Sequence, residues 1–242
     1  MQLKSNIALI FSITVIFSCS NLTDTNDLLD NDHFNFVLYD ELNSSDITGI
    51  SKVLDGNYER IIDDLQVQNM PRVTIKIWSD YNNFLDNMEN DIGTRYPGAT
   101  GYVFPMKEIR IFYDSQVALT AVHEFAHLVS IQVNSTILNN PRWLWEAVAL
   151  YESQDFINPK TLTYMVSGDY PTLSELSTDY NSSNHSIYSV GYVLLEYIVL
   201  TWGMDSVIEL IKNNGNLFNS LGLSTQEFEL GWYHFVEEKY LN

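Results

Sequence analysis

The spacing of apolar positions changes character along the chain and divides it into elements. Phe34 to Tyr39 is a short apolar and aromatic run that predicts a strand. Ile47, Ile50, Val53, Leu54, Tyr58, Ile61, Ile62 and Leu65 recur near helical spacing and predict a helix over Ser45–Leu65. Val73–Trp78 alternates with period two, as a strand does. A short helix over Asp80–Asn90 is expected next, then a turn-rich break over Tyr96–Gly101. Two short strands, Tyr102–Phe104 and Glu108–Tyr113, follow around Pro105. From Ser115 the period becomes helical. One long helix is expected over Ser115–Ile131, with Asp114 or Ser115 as its cap. Asn140 as N-cap and Pro141 in the first turn open the next. Two more run over Ser186–Trp202 and Met204–Asn213, and Ser224-Thr225-Gln226-Glu227 has capping-box spacing for the last. The expected class is α+β, with a mixed sheet half over 33–114 and a helical half over 115–242. Trp78, Trp202 and Trp232 read as core, and Glu152, Glu237 and Glu238 as solvated helix faces.

The helix over Ser115–Ile131 is apolar almost all round, through Val117, Leu119, Ala121, Val122, Phe125, Ala126, Leu128 and Val129. Such a helix is buried. His123-Glu124-Phe125-Ala126-His127 stands out within it, because buried polar groups are costly unless something compensates them. Residues four apart share a helix face, so His123 and His127 can point at one ion. Glu124, about 100° around the helix, can reach a water on that ion without ligating it.

Eighteen residues separate His127 from Glu146, room for the end of one helix, a loop and an antiparallel second helix. Trp143, Leu144, Ala147, Val148 and Tyr151 give that second helix an apolar side to pack on the first. Two imidazoles, a carboxylate and a spare glutamate are the equipment of a zinc hydrolase with one coordination position left for water.

His123-Glu124-Phe125-Ala126-His127, followed by Trp143-Leu144-Trp145-Glu146-Ala147-Val148-Ala149-Leu150-Tyr151, resembles the gluzincin metallopeptidases. The resemblance is to small peptidase-MA-like domains and, at greater distance, to the catalytic domain of the aminopeptidase N family. It spans roughly Tyr96–Tyr240 and is specific at the two motifs. It implies a zincin-like, thermolysin-like fold and one Zn²⁺ per chain on His123, His127 and Glu146. It also implies Glu124 as general base for hydrolysis of peptide or protein substrates. Ile187-Tyr188-Ser189-Val190-Gly191 is similar to a family segment whose tyrosine stabilises the oxyanion, which implies that role for Tyr188. Tyr192 is the rival tyrosine and reads as core; His185 reads as a loop or cap residue. In gluzincins an edge strand binds extended substrate, which implies that role for Glu108–Tyr113. Two departures stand out. Ala147 replaces the family's glycine, and Gly98-Ala99-Thr100-Gly101 does not match the G-x-M-x-N segment that grips a free amine, so an exopeptidase preference is unsupported.

The charge narrows the partners. A formal net charge of −19 over 242 residues repels phosphate and argues against nucleic acid. Lys4 and the apolar run Ile7–Phe17 form a targeting segment too short for a membrane span. It ends in Val15-Ile16-Phe17-Ser18-Cys19, which resembles a bacterial lipoprotein lipobox. The expectation is a signal peptide over 1–18, lipidation of Cys19, and an Asn- and Asp-rich tether over 19–32. The protein would then be exported and anchored to a bacterial membrane, on its periplasmic or cell-surface face. Cys19 is the only cysteine, so no internal disulfide forms; an ordinary signal peptide with a chance cysteine is the other reading. Two alternatives to a peptidase remain: a non-catalytic zinc-binding or scaffold lipoprotein of the same fold, and a zinc hydrolase of a non-peptide amide or ester.

Overall fold

A computed structural model describes residues 32–178 and 185–242. The expected signal peptide, the lipidation site Cys19 and nearly all of the tether lie outside these residues. Among the described residues, no helix is long and apolar enough to cross a membrane.

The chain is a mixed α/β structure, largely helical, with one small sheet. Its first half runs β1 (Phe34–Leu38), α1 (Ser44–Asp64), β2 (Val73–Trp78), α2 (Tyr81–Ile92), β3 (Gly101–Val103) and β4 (Glu108–Phe112). The second half is helical: α3 (Val117–Val133), α4 (Arg142–Glu152), α5 (Thr163–Val166), α6 (Leu173–Leu176), α7 (Ile187–Trp202), α8 (Met204–Lys212), α9 (Leu217–Leu221) and α10 (Thr225–Val236). A 3₁₀ turn over Pro159–Thr161 precedes α5, and a π turn over Glu237–Leu241 closes the chain.

Strand order is β1-β2-β4-β3, with the first three parallel and β3 antiparallel to β4. Alternation along the strands sorts side chains to two faces. Phe34, Phe36, Ile75, Ile77, Ile109 and Ile111 join the main core, which continues through α1, α3 and α4 into α7, α8 and α10. On the other face, Trp78 packs with Phe84, Leu85 and Met88 of α2. The isoleucines of β2 and β4 all lie on the main-core face, while the other face carries Thr74, Lys76, Glu108 and Arg110 beside Trp78 and Phe112. The reading of Glu108–Tyr113 as the edge strand is corrected here. β4 is an inner strand, because β3 folds back onto its outer side and takes the edge itself.

Helix starts agree with the sequence where a side chain caps them. Asn43 and Asp46 form a capping box on α1, Asp80 accepts from the backbone of Asn82 and Asn83 on α2, and Ser224 and Glu227 form the box on α10. Two starts are corrected. α3 begins at Val117 with no side-chain cap, since Asp114 closes a turn onto the backbone of Gln116 instead. At α4 the N-cap position is Pro141, not Asn140, again without a side-chain bond.

Helix α7 lies closely on α4, and Gly191 shows why. A Cβ there would sit 2.5 Å from Leu150 Cδ1 and 3.2 Å from the Cα of Ala147. Two small residues at the crossing thus let α7 approach the backbone of α4. Trp78 and Trp232 are buried as expected, and Trp202 is partly so. Glu152 is not on a solvated face. It is fully buried at the end of α4, where Arg60 of α1 meets its Oε2 at 2.5 Å and also donates to its backbone carbonyl. A carboxylate this deep requires a partner, and the cation comes from 92 residues earlier in the chain.

Candidate metal centre

The centre forms where α3 meets α4. Helical geometry puts His123 and His127 on one face of α3, their rings 4.7 Å apart and nearly perpendicular. Glu146, one turn into α4, reaches across to both. Its Oε2 lies 3.3 Å from His123 Nε2 and 3.7 Å from His127 Nε2. One ligand atom from each residue falls within 4.8 Å of the other two, so the group could hold a metal ion. Two ligands about 2.1 Å from a tetrahedrally coordinated ion are themselves about 3.4 Å apart, close to the spacing found here.

The electrostatics suit a cation. Glu146 is buried, which disfavours its charge, but its hydrogen bond to His123 and the proximity of His127 win and hold its carboxyl well below the usual carboxylate range. Burial lowers the His127 imidazole to about 4 and leaves it neutral, the form that ligates a metal. Burial also pulls His123 down, yet the hydrogen bond and charge of Glu146 raise it overall. Glu124 is pushed up to about 7, chiefly by burial; His123 opposes this shift and Glu146 adds to it.

Around the group, packing fixes orientation. The His127 ring lies flat on Trp145 of α4, with centroids 3.9 Å apart. The Glu124 carboxylate lies against the backbone of β3: a Cβ on Gly101 would fall 2.7 Å from its Oε1 and 2.7 Å from Thr120 Cγ2. The glycine therefore allows the edge strand to pass directly over Glu124. Ladder bonds join Phe104 N to Glu108 O and Phe112 N to Thr100 O. The alternation of an antiparallel ladder then turns the N–H and C=O of Gly101 and Val103 away from β4, along the open edge.

Tyr188, at the start of α7, has its ring centroid 6.4 Å from that of His123, and its hydroxyl accepts a bond of 3.2 Å from Arg142 Nη2. The structure thus brings all five residues expected from sequence, His123, Glu124, His127, Glu146 and Tyr188, into one neighbourhood. Tyr192 packs instead with Tyr151 and Phe156, and His185 sits between Asp169 and Glu175.

Two residues of the site escaped sequence reading. One is Gly101. The other is Arg142, a buried cation whose Nη2 is 3.8 Å from Glu146 Oε1. A signal for Arg142 was present: a lone cation four residues before Glu146 shares its helix face. No protein-family model matches the chain, and no match to a curated protein was found.

Proposed function

We propose that the protein is a zinc-dependent peptidase of gluzincin type. The observation that carries this reading is the convergence of His123, His127 and Glu146 across α3 and α4, with Glu124 beside them under an open strand edge. Two imidazole nitrogens and one carboxylate oxygen form a donor set suited to Zn²⁺. When bound, the ion would acidify a water molecule and polarise a carbonyl.

The chain's own residues would do the rest. Glu124, raised toward neutrality by burial, accepts a proton from the water and passes it to the departing amine. Tyr188 donates its hydroxyl hydrogen toward the oxygen that gains charge. The outward backbone groups of Gly101 and Val103 pair with an extended peptide laid along β3. That assigns to β3 the role the resemblance had implied for Glu108–Tyr113. With Cys19 lipidated, the domain would act at a bacterial membrane surface.

The test uses the domain starting after Cys19. Bound metal is measured by elemental mass spectrometry, and digestion of casein and mixed peptides is followed with and without chelator. One zinc per chain together with chelator-sensitive cleavage supports the proposal. Zinc without cleavage of any peptide supports the scaffold reading or hydrolysis of another amide or ester. Absence of metal at neutral pH with zinc supplied removes the enzyme reading.

A further inference from the structure

Among the described residues, Arg142 is the one buried cation at the centre for which the proposed chemistry has no use, and it needs a physical reason. A guanidinium removed from water is costly unless charged or polar partners surround it. Arg142 is only 5% exposed. Its position four residues before Glu146 on α4 sets both side chains on one face. The two oxygens of Glu146 are divided between neighbours: Oε2 faces His123 and His127, while Oε1 faces Arg142 Nη2 at 3.8 Å. The same Nη2 donates to the Tyr188 hydroxyl at 3.2 Å, and the guanidinium carbon lies 5.7 Å from the Tyr188 ring centroid. One side chain thus spans from the acidic member of the metal group to the first turn of α7.

We propose that Arg142 is a positioning residue of the metal centre. It retains Glu146 Oε1, so that Oε2 alone is offered to the ion, and it holds the Tyr188 hydroxyl at the rim of the same site. A carboxylate free to offer both oxygens would fill the coordination position that water and substrate need. Both contacts come from one nitrogen, Nη2, whose N–H bonds are held in the guanidinium plane, whereas the ammonium of lysine is a compact point charge with rotating donors on a flexible stem. The inference rests on the zinc reading above and assigns within it the residue that keeps the site open.

The experiment compares wild type, Arg142→Lys and Arg142→Met as purified domains. Zinc affinity is measured by competition with a chromogenic chelator. The Co²⁺-loaded forms are compared by visible absorption, whose intensity falls as coordination number rises. Thermal unfolding of the metal-free proteins is recorded in parallel. Arg142→Met is expected to bind zinc about ten- to a hundredfold more weakly, the usual effect of losing a group that orients a ligand. Arg142→Lys is expected to lose less affinity but to show the weaker cobalt bands of a bidentate Glu146. A merely structural role would lower the unfolding temperature and leave the cobalt spectrum unchanged. Wild-type affinity and spectrum in Arg142→Lys, or in a folded Arg142→Met, overturn the proposal. A wild type that takes up neither ion removes the zinc reading itself, an outcome distinct from failure of Arg142 alone.

Discussion

The imidazole of His127 and the indole of Trp145 are parallel to within 5°, with centroids 3.9 Å apart. His127 Nδ1 is buried and makes no hydrogen bond among the described residues, so the plane of this ring is set by stacking. The residue next to Glu146 in sequence thereby orients a histidine of the other helix. Trp145→Leu removes the flat surface but keeps an apolar side chain. It is expected to weaken metal binding several-fold and to cost roughly 2–4 kcal/mol of stability. Metal titration together with denaturant unfolding checks both parts; unchanged metal affinity would show that the stack does not orient His127.

Glu124 and His127 are predicted to separate chemistry from metal binding. Glu124→Gln should keep the metal and lower turnover by about 10²–10⁴-fold, the range for loss of a general base. His127→Ala should lose the metal. Full turnover by Glu124→Gln on any wild-type substrate would rule out the proposed mechanism.

Gly101 offers a test that does not alter the metal group. In Gly101→Ala the new methyl would meet Glu124 Oε1 and Cγ and Thr120 Cγ2, all side-chain rather than backbone atoms. To keep the strand in place, the Glu124 side chain has to shift. Turnover is expected to fall at least about tenfold, since small misplacements of reacting groups are costly, with metal content unchanged. Assay of both quantities in the same preparation decides it.

The buried pair at the far end of α4 predicts a pH dependence. Burial raises Glu152 to about 7, against the lowering effect of Arg60. A carboxyl whose pKa is higher folded than unfolded binds more protons in the folded state. Stability therefore falls as pH rises from about 4.5 to about 7. In Glu152→Gln this component is absent. The difference in unfolding free energy between wild type and variant, both metal-free, should shift by up to ~3 kcal/mol across that window in favour of the variant at higher pH. A difference independent of pH would show that Arg60 neutralises Glu152 throughout.

Local rules made much of the centre legible before any coordinates. The i, i+4 spacing of His123 and His127 fixes their common face, and an apolar helix around them leaves little room for them except at a compensated site. The eighteen intervening residues then admit an antiparallel α4 that brings Glu146 in. What escaped was non-local. The runs that form β3 and β4 are each visible as strands, yet alternation does not say which strand lies beside β2, and β4 took that place. Glu152 looked solvated because Arg60, its partner, belongs to a distant helix. The place of Arg142 depends on α7, which sets Tyr188 opposite it. Helices α5, α6 and α9, of four or five residues, are too short to show a period.

The candidate ligand group draws its histidines from α3 and its carboxylate from α4, and that division would give a bound ion a second role. A metal bonded to both helices is a removable cross-link across the core, closing the segment from 128 to 145 into a loop. Its stabilisation grows with the free metal concentration and reaches about 2.7 kcal/mol at a hundredfold excess over Kd. Copies without metal would then be the first to open between α3 and α4, exposing apolar surface to degradation. Metal supply would set the lifetime of the chain as well as its activity.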